Sequence, residues 1–294
     1  MKTLLTKVQY KGYEPGEFTN IAERSYEETV ALIQSFDWEQ QRHNAVVQYT
    51  GPSVSMENET GILKLGTYYN SKYILRLATE DGYLYEKIVL NLSDALPLIL
   101  AFCSDSIPLD VFKRKKNNNL RKHFNTKDFT YKITLKRIIY FNLVPNIIIG
   151  LPFLILVFFA FQIPADKINV AIVASLISSL WIFLFGINWI VFLNYYNYEK
   201  DKVIIISKGQ DVFQYGYTDN LKTYRKSEIE KISELQYEAS RNPYDHNRVH
   251  TVYFQDGSHI ILTNLLIANF EYKTEKIPRV YIKTFFPHLI KKQR

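Results

Sequence analysis

Two stretches without a charged residue, 138–165 and 168–198, dominate what this 294-residue chain can fold into. Only Asp166 and Lys167 separate them, within the segment Phe161-Gln162-Ile163-Pro164-Ala165-Asp166-Lys167-Ile168-Asn169. A helix needs roughly 20 apolar residues to cross a hydrocarbon core of about 30 Å. Residues 138–163 and 168–193 each supply that length. Neither run shows a polar face, and a helix apolar on all sides is either deeply buried or in lipid. The expectation is a two-helix transmembrane hairpin with residues 164–167 as its turn: Pro164 ends one helix and Asp166 caps the next. Tyr140, Trp189, Tyr195, Tyr196 and Tyr198 fall near the helix ends, where an aromatic belt belongs. A buried core hairpin is the alternative.

Charge sets the orientation. The net charge of +7 is uneven: residues 1–112 hold nine basic and fifteen acidic residues, 113–137 ten and one, and 194–294 sixteen and twelve. The excess therefore sits just before the first apolar run. The positive-inside rule then places both termini in the cytoplasm of a bacterial cell and residues 164–167 beyond the inner membrane. Anionic headgroups attract juxtamembrane cations by about 1 kcal/mol each, which makes Lys113, Arg114, Lys115, Lys116, Arg121, Lys122, Lys136 and Arg137 the expected headgroup contacts. Nucleic acid could use the same cluster, but its place beside a span favours lipid, and no nucleic-acid partner is expected. The single cysteine, Cys103, excludes an internal disulfide and fits a reducing compartment. The apolar part of the N-terminal segment is too short for a signal-peptide core.

Residues 1–110 read as a small α+β domain. Ser25-Tyr26-Glu27-Glu28 is a capping box opening a helix that runs to about Gln41. Short alternating runs follow at Ala45–Tyr49, Ser53–Glu57, Ile62–Tyr68, Tyr73–Thr79 and Tyr83–Leu90, with Asp81-Gly82 as a hairpin turn. Ser93 is placed to cap a last helix through Phe102. The expected order is helix, antiparallel meander, helix. No nucleophile with a base, no metal spacing and no phosphate loop stands out, so catalysis is not expected, nor a cofactor or metal. An acidic, tyrosine-rich surface remains, and Tyr is enriched at interfaces. Glu57, Glu59, Tyr68, Tyr69, Glu80 and Asp81 are the expected binding residues.

The stretch "GPSVSMENETGILKLGTYYNSKYILRLATEDGYLYEK" resembles small immunity-type domains found beside polymorphic bacterial toxins, over about residues 20–103. The resemblance implies a domain that binds and blocks a cognate toxin. The excess of acidic residues would suit a basic toxin.

Residues 198–294 read as strands near Lys202–Ser207, Asp211–Tyr217, Thr223–Lys226, Ile232–Tyr237, Val249–Phe254 and His259–Thr263, with Asp256-Gly257 as a turn. Pro278–Leu289 reads as a closing helix with Val280, Tyr281, Phe285 and Leu289 apolar. "YEKDKVIIISKGQDVFQYG", "YRKSEIEKI" and "VYFQDGSHIILTN" resemble bacterial PH-like domains that follow a pair of membrane helices, which implies a small β-barrel plugged by a helix. His246 and His250 have ligand spacing for a helix but fall in a loop entering a strand, so no zinc site is expected.

The combined expectation is three parts: an immunity-like binding domain (1–110), a basic juxtamembrane linker (111–137) leading into the hairpin (138–193), and a PH-like barrel (198–294). The function expected is membrane-anchored neutralisation of a toxin by the N-terminal domain. The alternatives are a membrane scaffold or sensor whose PH-like part binds a peptide or lipid, and a membrane-perturbing defence effector.

Overall fold

A computed structural model of the chain describes residues 3–43, 48–116, 121–141, 155, 158, 167–237, 247–284 and 288–291. It divides into two compact units, residues 1–129 with 207–210, and residues 130–206 with 211–294.

The first unit is built on one seven-stranded antiparallel sheet. Its elements are β1 (Leu4–Gln9), β2 (Thr19–Arg24), α1 (Tyr26–Ser35), α2 (Trp38–Arg42), β3 (Ser53–Asn58), β4 (Gly61–Thr67), β5 (Tyr73–Thr79), β6 (Tyr83–Val89), α3 (Leu92–Cys103) and β7 (Lys113–Lys116). The strand order is β2-β1-β3-β4-β5-β6-β7. The capping box forms as expected: Glu28 N donates to Ser25 Oγ at 3.2 Å and Ser25 N to Glu28 Oε2 at 2.8 Å. The Asp81-Gly82 turn places Gly82 at φ +86°, a conformation glycine adopts without a Cβ penalty. The expected single helix breaks at Phe36, where Asp37 starts α2 by accepting from Gln40 N at 3.1 Å. Asn91 rather than Ser93 precedes α3, its N–H donating to Asp94 Oδ2. One sheet face packs Val54, Met56, Leu63, Leu65, Leu75 and Leu77 against Ile33, Phe36 and Trp38 on one side and Ile99 and Phe102 on the other.

Helix, meander, helix is therefore too small a frame for this unit. β1 and β2 precede the helix, and β7 closes the far edge. β1 is buried at five of six positions, so it lacks the period-two pattern that marks a strand with one wet face. The basic segment expected as a linker over 111–137 is corrected too. Lys113–Lys116 pairs antiparallel with β6, and Thr130–Lys132 belongs to the second unit. A lysine-rich strand at a sheet edge discourages pairing with other chains. The Ala45–Tyr49 strand lies mostly outside the described residues, which resume at Gln48 in a bend.

Residues 207–210 are held to this unit by two buried carboxylates, Glu14, which accepts from Lys208 N at 2.9 Å, and Glu17. Glu17 is fully buried and accepts from Ser207 Oγ at 2.6 Å, Gly209 N and Gln210 N at 2.9 Å, and Glu14 N at 2.8 Å.

The second unit holds two four-stranded sheets. Its elements are β8 (Thr130–Lys132), α4 (Lys167–Glu199), β9 (Lys202–Ile205), β10 (Val212–Tyr217), β11 (Asn220–Arg225), β12 (Ile229–Tyr237), β13 (Val249–Phe254), β14 (His259–Thr263), α5 (Phe270–Lys273) and β15 (Arg279–Thr284). The sheet orders are β11-β10-β9-β8 and β14-β13-β12-β15. Ile204, Phe213 and Tyr215 of the first sheet, with Ile206 just after β9, share a core with Ile232, Val252, Phe254 and Leu262 of the second.

Two expectations fail in this unit. Among the described residues no helix is long and apolar enough to cross a membrane. The two-span hairpin, and the inner-membrane placement with residues 164–167 outside, are corrected accordingly. The first expected span falls largely outside the described residues; in the second, protein covers apolar surface assigned to lipid only at the C-terminal end, while Ile172, Leu176, Ile190 and Leu193 are exposed. Val191, Phe192 and Tyr195 at the end of α4 are buried with Val249, Leu265 and Ile290, and Leu235 and Ile261 pack against them. The closing helix over 278–289 also fails. Arg279–Thr284 is a strand parallel to β12, and α5 has only four residues. Val280, Tyr281 and Ile282 are consecutive β-branched and aromatic residues, which suit a pleated surface better than a helix.

Candidate functional site

The second face of the large sheet carries the chemistry of the first unit. Cross-strand registers align Lys7, Ser55, Lys64, Arg76, Glu86 and Lys113 in one row over β1, β3, β4, β5, β6 and β7. Lys7, Ser55, Lys64 and Arg76 are buried. Buried charge persists only when paired or hydrogen-bonded, and each cation is. Lys7 Nζ lies 2.9 Å from Glu57 Oε2. Lys64 Nζ donates to Gln9 Oε1 at 2.7 Å, Tyr49 O at 2.9 Å and His123 O at 3.3 Å. Burial, with Arg76 and Lys7 beside it, holds Lys64 well below the usual lysine range. Arg76 Nε is 3.0 Å from Glu86 Oε1, and its Nη1 donates to Gln48 O at 3.0 Å.

Where this row meets the edge it opens into a cleft of about 940 Å³. Ile74, Arg76, Glu86, Ile88, Lys113 and Lys115 form its floor, and Tyr49, Tyr68, Tyr69 and His123 its rim. The tyrosine rings of Tyr68 and Tyr69 stand edge to face, 5.1 Å apart. The Arg76 guanidinium lies 4.7 Å from the centre of the Tyr49 ring. Lys115 pairs with Glu86, which raises the Lys115 pKa. His123 Nδ1 is 2.5 Å from Thr50 Oγ1, and burial together with Lys64 lowers its pKa to about 4, so the ring is neutral near pH 7. Glu86 is the one carboxylate among the described lining residues, and Arg76 and Lys115 both pair with it. Apolar walls with a few convergent polar groups are the usual form of a binding site.

The expected binding residues separate. Tyr68 and Tyr69 rim this cleft. Glu57 and Glu80 line a different one of about 380 Å³, with Phe124 and Asn125. Asp81 is in the β5–β6 turn, where Thr79 and Tyr83 N bond to it and lower its pKa; Glu59 is in the β3–β4 turn. The expected headgroup contacts separate as well. Lys113, Arg114, Lys115 and Lys116 form β7, with Arg114 3.5 Å from the centre of the Tyr83 ring, and Arg121 and Lys122 lie in a 3₁₀ turn of the same unit. Lys136 and Arg137 are in the helical residues 135–141 of the second unit, where Arg137 Nη2 donates to Asn264 O at 2.9 Å.

The first unit is not acidic once its full extent is counted. Residues 113–129 add seven basic residues and one acidic residue, and Lys208 adds another basic one, so the unit lies within one charge of neutrality. Sequence reasoning missed Arg76, Glu86 and His123 as site residues. The signal for Arg76 was present: "YILRLAT" puts one cation at the centre of an apolar strand.

The second unit has its own cleft, about 440 Å³, lined by Lys132, Lys200, Lys202, Asp201, Tyr217 and Asp219 among others. Lys202 Nζ lies 3.4 Å from the Tyr198 ring centre and 5.6 Å and 5.8 Å from those of Tyr215 and Tyr217, and its burial lowers its pKa. His246 lies outside the described residues. His250 is buried on β13, and burial lowers its pKa to about 4. Among the described residues no three His, Cys, Asp or Glu side chains group as metal ligands.

With both sites placed, comparison with known proteins gives one result. A PH domain is found at residues 130–274, spanning β8 to α5. No curated protein and no solved structure matches the chain.

Proposed function

We propose that this chain is a non-catalytic binding protein whose first unit captures and neutralises a toxin by gripping an acidic, partly apolar segment of it in the tyrosine-rimmed cleft. The observation that carries this reading is the cleft itself. Tyr68 and Tyr69 offer large, half-rigid contact surface beside the exposed Lys113 and Lys115, and tyrosine is among the residue types that dominate protein interfaces. The resemblance of residues 20–103 to immunity-type domains supplies the toxin. The cleft's cations favour an acidic contact segment over the basic one that the charge of residues 1–112 suggested. The test is co-expression of the full chain with toxins encoded beside it. Rescue of growth by the wild type, lost with Lys113→Glu and Lys115→Glu together, supports the reading; no rescue against any of them removes it.

A second reading concerns the PH domain. Its cleft sets Lys132, Lys200 and Lys202 against Asp201 and Asp219, which suits a phosphate-bearing headgroup. Titration with a soluble inositol phosphate tests this: Lys132→Glu with Lys200→Glu abolishes binding if the cleft is the site.

A further inference from the structure

β15 is an unusual part of the second unit. It follows the last residue matched to the PH domain, and its pairing with β12 is the one parallel pairing among the described residues. Six register pairs run from Ile232↔Arg279 to Tyr237↔Thr284, and Ile232 N donates to Pro278 O at 2.9 Å. As the outer strand of its sheet it buries little: Val280 is 48%, Tyr281 53% and Ile282 48% exposed. Backbone hydrogen bonds contribute little net of those lost to water, so without apolar burial this strand is weakly held.

One side chain is the exception. Arg279 Nη1 lies 3.3 Å from Glu234 Oε2, while its Nη2 donates to Thr274 Oγ1 at 2.6 Å and to Glu271 O at 3.3 Å. Glu234 is buried on β12, where Arg248 stands 3.5 Å from Oε1 and His250 Nδ1 3.7 Å from Oε2. Arg279 therefore plugs a socket of one carbonyl oxygen, one hydroxyl oxygen and one buried carboxylate. Beside the socket, the outer edge of β12 is occupied by β15 alone, and it becomes an open strand edge only when β15 leaves. Such an edge takes an extended peptide by strand addition, with backbone bonds giving affinity and pockets giving specificity.

We propose that the edge of β12 and the Glu234 socket form a binding site for an extended peptide with arginine at its first paired position, and that β15 is the resident segment this peptide replaces. The site is distinct from the three clefts and independent of the toxin-binding reading. The resident strand competes from within the same chain, at the millimolar effective concentration typical of a short tether. An outside peptide gains wherever β15 is loosened.

The test uses the full chain and a fluorescent peptide with the sequence of residues 278–284. The wild type binds it weakly. Arg279→Gln, which vacates the socket, binds it about tenfold more tightly, since a charge-assisted anchor is lost from the competitor alone. Ile282→Pro, which weakens the resident backbone pairing and leaves the socket intact, has the same direction. Replacing the arginine of the peptide by glutamate abolishes binding. In hydrogen exchange of the wild type, the β15 amides open well before those paired between β12 and β13. The proposal is overturned if neither variant binds better than the wild type, if the glutamate peptide binds equally well, or if β15 amides exchange only with global unfolding.

Discussion

Lys64 on β4 stands directly opposite Arg76 on β5, two buried cations in register on one face of a sheet. Like charges placed so destabilise a strand pair unless each is compensated. Arg76 has Glu86; Lys64 has only neutral oxygens. Its lowered pKa means that the unfolded chain holds more protons than the folded one at pH values up to roughly 10.4. Wild-type stability therefore rises with pH through this window. Lys64→Met lacks this contribution, so the gap between the two proteins widens in favour of the wild type as pH rises toward the ordinary lysine value of about 10.4. Parallel pH profiles in chemical denaturation would contradict this.

Glu199 gives a pH dependence of opposite sign. It is fully buried at the end of α4, accepts from Thr263 N at 2.8 Å and from Thr263 Oγ1, and burial pushes its pKa up to about 8. Here the folded state holds the extra proton between the ordinary carboxylate value and about 8, so stability falls as pH rises through that range. Glu199→Gln keeps an acceptor for Thr263 N and escapes the penalty. Relative to the wild type it gains up to roughly 4 kcal/mol between about pH 5 and about pH 8. Melting temperatures of both proteins at the two ends of this range check the sign.

Glu17 is expected to be among the least replaceable residues of the first unit. Glu17→Ala strands buried donors at Ser207, Gly209 and Gln210 and costs about 3 kcal/mol or more. Gly209→Ala reports on the same joint by sterics, since a Cβ there would stand 2.0 Å from Tyr13 Cδ1. Urea midpoints with an unchanged slope are the measurement; a loss below about 0.5 kcal/mol for Glu17→Ala would refute the role.

Substitution at the rim of the large cleft separates binding from stability. Tyr69 is 60% exposed and Lys113 is exposed. Tyr69→Ala with Lys113→Glu changes stability by less than about 0.5 kcal/mol. Affinity for a toxin partner falls by more than roughly tenfold if Tyr69 is an anchor. Calorimetric titration and thermal melts of the same samples decide it.

How much of this was legible in the sequence depended on whether residue types alternate along an element, even where both faces are buried. β3 to β6 largely alternate around the Asp81-Gly82 turn and could be read directly, although β4 is buried at all seven positions. β1 could not, because Leu5 beside Leu4 breaks the alternation. The basic run at Lys113 read as a collar because nothing local shows that Glu86 and Tyr83 wait across a strand gap. Apolar residues at the end of α4 were assigned to lipid because hydropathy does not distinguish a lipid tail from Val249 and Leu265. Half of the cleft was visible in Tyr68 and Tyr69. The other half needed the cross-strand register.

β8 pairs antiparallel with β9. They are neighbours in one sheet, yet residues 133–201 intervene between them. Closing so long a loop costs entropy before any contact rewards it. The strands from β9 to β14 connect locally and can assemble first. β8, three residues long and matched to Val203–Ile205, is then a late arrival, joining a sheet whose other members are already in place. On the ribosome this order runs against synthesis: the first strand of the PH domain emerges earliest and is the last to find its partner.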